Sequence, residues 1–445
     1  MKYQKPTINK VDFRLASKYG SPLKEQRIKG EIDGVPVREL VAEFGSPLFV
    51  FSERELEDKY LEYRNAFSSR YPEVQFWWSY KTNYLGAICK VFHRLGSKAE
   101  VVSLFEYQKA RQLGIPGRDI IFNGPYKPKE ALRVAVEEGA LIHIDHFYEI
   151  NDLEDVVQEL GLKEYPVAIR CNMNTGVYPQ WSRFGFNIEN GEAYEAVRRL
   201  AKGGILKLTG LHAHIGTFML ASSAYRVEVE KLMRLKNWAE EEFGYQVEYI
   251  DVGGGFASRN RLKGVYQPPE VIVPSADEYA EAITSAIYDN HRGKLPKLYL
   301  ETGRALVDEA GYLLTSVFAD KRLPDGRKGY IVDAGVNLLY TSFWYNFEIF
   351  LDRRYEGLNE PSQINGPLCM NIDVIAENIM LPPLERGTVL TIWPVGAYNY
   401  TQSMQFIQYR PRVVLIDKSG TPHLIREADD LEYVTEKEII PDYLK

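Results

Sequence analysis

Cysteine is scarce in this chain. Cys89, Cys171 and Cys369 are its only three in 445 residues. So few, and odd in number, they argue against a disulfide framework and for a reducing compartment. No apolar run approaches the roughly 20 residues that span a bilayer. The first residues are polar, with Lys2, Lys5 and Lys10 and no apolar stretch between them, so no signal-peptide pattern is visible. A cytoplasmic location without a membrane partner is expected. Positive charge is also short: 54 Lys and Arg against 61 Asp and Glu give a net charge of −7. That leaves no basic footprint, and no nucleic-acid partner is expected. No Cys, His and acid set stands at metal-ligand spacing, and no metal is expected.

What the chain does have is eight short apolar runs, most followed by a stretch of helical apolar spacing. The runs are Val74 to Tyr80, Lys98 to Val102, Asp119 to Phe122, Leu141 to Ile144, Pro166 to Ile169, Leu206 to Ala213, Val247 to Val252 and Lys297 to Leu300. Eight strand–helix alternations predict an α/β fold with a closed (β/α)8 TIM barrel. Such a barrel needs about 250 residues, so the remainder forms a second domain. After Glu301 the texture becomes β-rich, with turn signals at Pro324-Asp325-Gly326 and Lys418-Ser419-Gly420. We expect a mostly antiparallel C-terminal β domain, joined by the early strand around Leu48-Phe49-Val50-Phe51. The expected division is an extension over 1–30, strands joining the β domain over 31–54, the barrel over 55–305 and the β domain over 306–445.

Barrel active sites lie at the carboxyl ends of the strands. The residues expected there include Lys81, Ser103, Asn123, Asp145, Arg170, His214, Gly253-Gly254-Gly255 and Glu301. Lys81 follows the aromatic run Phe76-Trp77-Trp78; an apolar surround disfavours an ammonium, as Schiff-base chemistry requires. The glycine triplet makes either a tight turn or a backbone cradle for an anion such as phosphate. His212 and His214 are two apart and share a strand face; a metal pair, a ring stacked on a cofactor and a satisfied core histidine are all open. Glu301 is either a solvated rim charge or the acid that keeps a pyridine nitrogen protonated. Arg304 suits a phosphate clamp. Cys369 alone reads as a small buried hydrophobe. An amine, a phosphate cradle, a stacking ring and an acid for a ring nitrogen together describe pyridoxal 5′-phosphate.

The motifs carry a resemblance. Tyr80-Lys81-Thr82-Asn83, Ser182-Arg183-Phe184-Gly185, Leu211-His212-Ala213-His214-Ile215-Gly216-Thr217, Asp251-Val252-Gly253-Gly254-Gly255-Phe256, Glu301-Thr302-Gly303-Arg304, Gly366-Pro367-Leu368-Cys369 and Gly396-Ala397-Tyr398 stand in this order. From about Val41 to Leu424 the chain resembles the diaminopimelate/ornithine decarboxylase family, within the alanine-racemase-type barrel group of pyridoxal-phosphate enzymes. The resemblance implies Lys81, Cys369 and Glu301 as catalytic residues. It implies a cofactor site of Lys81, His214, Thr217, Gly253, Gly254, Gly255, Glu301, Arg304 and Tyr398. It also implies a homodimer with shared active sites, Cys369 coming from one subunit and Lys81 from the other.

Two departures concern the substrate. Met370 stands where the family has an Asp or Glu for the distal amine. Thr341 stands where diaminopimelate decarboxylases have an arginine for the distal carboxylate. Tyr345 remains, and Arg183 is a candidate substitute charge. The expected activity is decarboxylation of an α-amino acid other than free meso-diaminopimelate, with a conjugated or carrier-bound amino acid among the candidates. The alternatives are meso-diaminopimelate decarboxylase making L-lysine, a D-ornithine/D-lysine-type decarboxylase, and a catalytically silent cofactor-binding regulator.

Overall fold

Each of the eight apolar runs becomes a strand of one parallel sheet in the computed structural model, which describes residues 25–445. The strands are Val74–Ser79, Lys98–Val101, Ile120–Phe122, Leu141–Ile144, Tyr165–Asn172, Leu206–Ala213, Tyr249–Asp251 and Lys297–Thr302. Neighbours in sequence are neighbours in the sheet, and the last pairs with the first, Leu300 opposite Phe76. The barrel therefore closes. Phe186–Asn187 adds a short ninth strand beside Tyr165–Asn172.

Strand alternation sorts the aromatics into two layers. Trp78 stacks on Phe92 of the following helix at 4.0 Å, and Phe76 meets Tyr60 and Phe67. Trp77 lies against Tyr299, which stacks on Tyr249 at 4.4 Å. The expected helices form at Gly86–Arg94, Leu104–Gln112, Lys129–Glu137, Phe147–Glu159, Ser223–Phe243 and Ala276–Asn290. Ser275 and Glu278 form a capping box at the start of the last of these. Glu192–Gly203 and Glu53–Ser68 are also helices.

The chain divides into two compact units: Leu56–Ser258 with Ile272–Val307, and the residues up to Glu55 with Arg259–Val271 and Asp308–Lys445. The second unit is a sheet in which most pairings are antiparallel. One of its interior strands is Leu48–Ser52, held between Gly311–Arg322 (antiparallel) and Val413–Ile416 (parallel). Leu48, Val50, Tyr312, Leu314, Val414 and Ile416 share one buried cluster. Residues 259–271 fall within the range expected for the barrel, yet they group with the β unit. The reason is local: the Lys263 N–H donates to the Trp344 carbonyl and Leu262 bridges Tyr345. Of the extension expected over 1–30, the first 24 residues lie outside the described residues. Ile28 makes a bridge to Leu351 of the β unit.

Candidate active site

The end of the first strand brings Lys81 to a carboxylate. Its Nζ lies 2.8 and 3.0 Å from the two oxygens of Glu100, at the end of the second strand. Glu100 is buried and also accepts the Ser79 hydroxyl at 2.5 Å. The lysine is thus ion-paired, not apolar in its surroundings as expected; the preceding aromatics pack into the two layers described above. Asp145 and Arg170, on the fourth and fifth strands, make a further buried pair at 3.7 Å.

Glu301 ends the eighth strand and is 5% exposed. It sits among polar groups from four other strands. The Asn123 amide donates to its Oε1. His212 Nε2 lies 3.5 Å from Oε2, and His143 Nδ1 lies 4.0 Å from Oε1. The two imidazoles are 4.9 Å apart, and His143 Nε2 is 3.0 Å from the Tyr249 hydroxyl. Burial pushes both histidines well below the ordinary imidazole range, so both are neutral at pH 7. Burial and the Glu301 charge push the Asp251 carboxyl well above its ordinary range. His143, His212 and Glu301 offer ligand atoms within 4.8 Å of one another. Bonds of about 2.0–2.1 Å to one ion would require closer spacing, so the trio is better described as a polar packing set.

The glycine triplet, read from sequence as either a tight turn or an anion cradle, is a tight turn with internal partners. The Gly253 N–H donates to Asp251 Oδ1 at 2.8 Å, and the Gly254 N–H donates to His214 Nδ1 at 3.1 Å. Two of the three amides are therefore engaged within the protein. The glycines are required for closeness instead. A Cβ on Gly254 would lie 2.3 Å from the Glu301 carbonyl oxygen, and one on Gly253 would lie 2.8 Å from His214 Nδ1. Gly253 and Gly255 also have φ of 62° and 89°. The Gly254 bond fixes the half-buried His214 ring, and Trp181 stands edge-on to it at 5.5 Å. Desolvation, with the Arg170 and Lys81 charges, pushes the His214 imidazole below its ordinary range. Thr217 is exposed, and Arg304 is buried with its guanidinium over the Phe218 ring. Arg183 is exposed beside Phe184.

The remaining sequence-derived residues belong to the β unit. Cys369 is a free, exposed thiol, followed by Met370. Its loop is organised by Asp373, 3% exposed, whose carboxylate accepts the N–H groups of Leu368 (2.7 Å) and Val336 (2.8 Å). Thr341 is buried, and its N–H and hydroxyl both donate to Asn399 Oδ1, at 3.0 and 2.9 Å. Its hydroxyl proton is therefore committed inside the protein. Tyr345 is buried. Tyr398 has φ of 65°, a conformation non-glycine residues adopt mainly where the surroundings impose it.

Glu100, His143 and Asp373 were missed from sequence. Each had a signal. Glu100 lies between Ala99 and Val101, and His143 between Ile142 and Ile144; a lone polar residue inside a buried strand needs a partner. Asp373 lies four residues beyond Cys369, where no spacing rule marks it.

The residues present fit pyridoxal phosphate on the structure's own terms. An amine, a fixed neutral ring and a buried acid all lie at strand ends of one barrel, and the packing around His214 and Glu301 admits only glycine. Residues 53–308 match the family model described as "Pyridoxal-dependent decarboxylase, pyridoxal binding domain". Diaminopimelate decarboxylase of Methanocaldococcus jannaschii is 31% identical over 429 residues, 93% of this chain and 95% of that protein. The Bacillus subtilis enzyme of the same name is 26% identical over 440 residues, 95% and 98% of the two chains. The crystal structure of the M. jannaschii enzyme superposes with a TM-score of 0.86 over 94% of this chain and 98% of that one. The chain belongs to the pyridoxal-dependent decarboxylase family and is a pyridoxal-phosphate-dependent carboxy-lyase acting on an amino acid.

Proposed function

We propose that this enzyme decarboxylates an α-amino acid whose distal end lacks the paired ammonium and carboxylate of free meso-diaminopimelate. The observation that carries this reading is the state of the two clamp positions. Met370 has no charge, and the Thr341 hydroxyl already donates to Asn399. Desolvating a charged distal end without partners is strongly unfavourable. A conjugated or less charged side chain suits such a surface better.

The roles follow from the site. Lys81 would hold the cofactor covalently, with Glu100 orienting its amine and taking up its proton. His214, fixed by Gly254, would stack on the ring. Glu301 would face the ring nitrogen, and Arg304, Thr217, Gly255 and Tyr398 would serve the phosphate. When bound, pyridoxal phosphate supplies an electron sink for the pair left when carbon dioxide departs. Cys369 would return a proton to the α-carbon from the partner subunit of a homodimer. Exposed apolar side chains of the same unit, among them Ile372, Phe343, Trp344 and Met404, support an interface on it.

A second reading, meso-diaminopimelate decarboxylase itself, is favoured by the full-length likeness to enzymes of that name, with Arg183 as the replacement charge. Steady-state assay decides. Two lost charge-assisted contacts should lower kcat/KM for meso-diaminopimelate by at least about a thousandfold against an ordinary relative. Efficient lysine production would put the second reading first. A panel of amino acids and conjugates, read by mass spectrometry for loss of carbon dioxide, finds the substrate otherwise.

A further inference from the structure

The polar set around Glu301 contains a buried group with no partner of its own. His212 is 1% exposed, and neither of its ring nitrogens has a hydrogen bond among the described residues. A buried unbonded imidazole is costly, so its retention needs a reason. Its Nε2 lies 3.5 Å from Glu301 Oε2, within ion-pair reach but without the geometry of a formed hydrogen bond. Its other side is blocked by His143, whose ring is set by the Tyr249 hydroxyl and by Tyr249 stacking on Tyr299.

Burial comes first in deciding what kind of donor it is, and the surrounding charges add to it. Lys81, Lys127 and Arg170 act on His212 to disfavour its cation, and Glu100 acts to favour it; His143 feels Lys127, Arg170 and His212 against Glu301. With burial added, both rings stay neutral. A neutral imidazole can give a carboxylate one N–H without giving it a counter-charge. An arginine or an imidazolium in the same place would pair with Glu301 and consume the charge.

We propose that His212, backed by His143 and Tyr249, is a positioning residue that holds Glu301 through a neutral Nε2–H and leaves its carboxylate charge available to the pyridine nitrogen. Only the last clause rests on the role proposed for Glu301. Catalytic hydrogen bonds are often long at rest and tighten in the working complex.

The test uses His212→Leu, which removes the donor, and His212→Gln, which restores an N–H at a similar reach. The first readout needs no cofactor: thermal unfolding of the apo protein in a double-mutant cycle with Glu301→Gln. The expected result is that His212→Leu shifts the melting temperature by a different amount in the Glu301→Gln background than in the wild type. Additive shifts overturn the contact. The second readout is the holoenzyme on its identified substrate. His212→Leu should lower kcat by about 10- to 100-fold with KM within about twofold, and His212→Gln should recover most of the loss. Equal losses in both variants mark a packing role and overturn the proposal. Stoichiometric metal in the purified protein that disappears in His212→Leu would also overturn it. Coupling in the apo protein together with an unchanged kcat for Glu301→Gln would sink the role of Glu301 while the contact stands.

Discussion

A carboxylate 2.8 Å from Lys81 ion-pairs the lysine and fixes its amine at the end of the first strand. Borohydride reduction of the loaded protein is expected to fix the cofactor to the peptide containing Lys81. Label on another lysine would refute that assignment. A second residue prediction concerns Glu106. Its buried carboxyl caps the Val102 N–H at 2.8 Å and is pushed up from 4.5 to about 7, chiefly by burial and also by Glu100. The folded value exceeds the unfolded one, so stability is greatest below about pH 4.5, falls as pH rises toward 7, and is level above it. Glu106→Gln should therefore gain melting temperature over the wild type only above about pH 5, with the gain levelling near pH 7; a pH-independent difference refutes it. At this scale the sequence was readable where a residue type has few uses. Lys81, Glu301 and the histidines stood out. Glu100 did not, because a glutamate two residues after Lys98 looks like half of a solvated strand edge until the barrel closes around it.

Barrel strands were legible because they are buried on both faces and so read as unbroken apolar runs. Glu360–Asn365 in the β unit is half exposed, and its polar sequence hides it. Two predictions belong to elements. The capping box at Ser275 satisfies the start of Ala276–Asn290, and Ser275→Ala should cost about 1 kcal/mol in urea unfolding. Gly254→Ala places a methyl 2.3 Å from the Glu301 carbonyl oxygen, backbone that cannot give way cheaply. It should lower both stability and cofactor retention, and an unaltered absorbance near the cofactor band would count against it.

At the scale of the whole molecule, Lys81 and Cys369 fall in different compact units of the chain. No helix of the described residues is long and apolar enough to cross a membrane. If active sites are shared between subunits as proposed, mixing inactive Lys81→Ala and Cys369→Ala proteins should restore part of the activity, through heterodimers with one intact site. No recovery after verified subunit exchange would refute the sharing. That expectation rests on motif resemblance alone, since nothing in spacing or periodicity reports which copy supplies a side chain.

The strand Leu48–Ser52 also sets an order of synthesis. It leaves the ribosome before every barrel strand, yet its sheet neighbours are Gly311–Arg322 and Val413–Ile416. The whole barrel unit, Leu56–Ser258 with Ile272–Val307, is translated while Leu48-Phe49-Val50-Phe51 waits without a partner. Unpaired apolar strands held open for that long are where nascent chains stick to one another. A chain terminated after Val307 should therefore pellet as aggregate when expressed, and Val50→Lys in that truncated chain should return it to the supernatant.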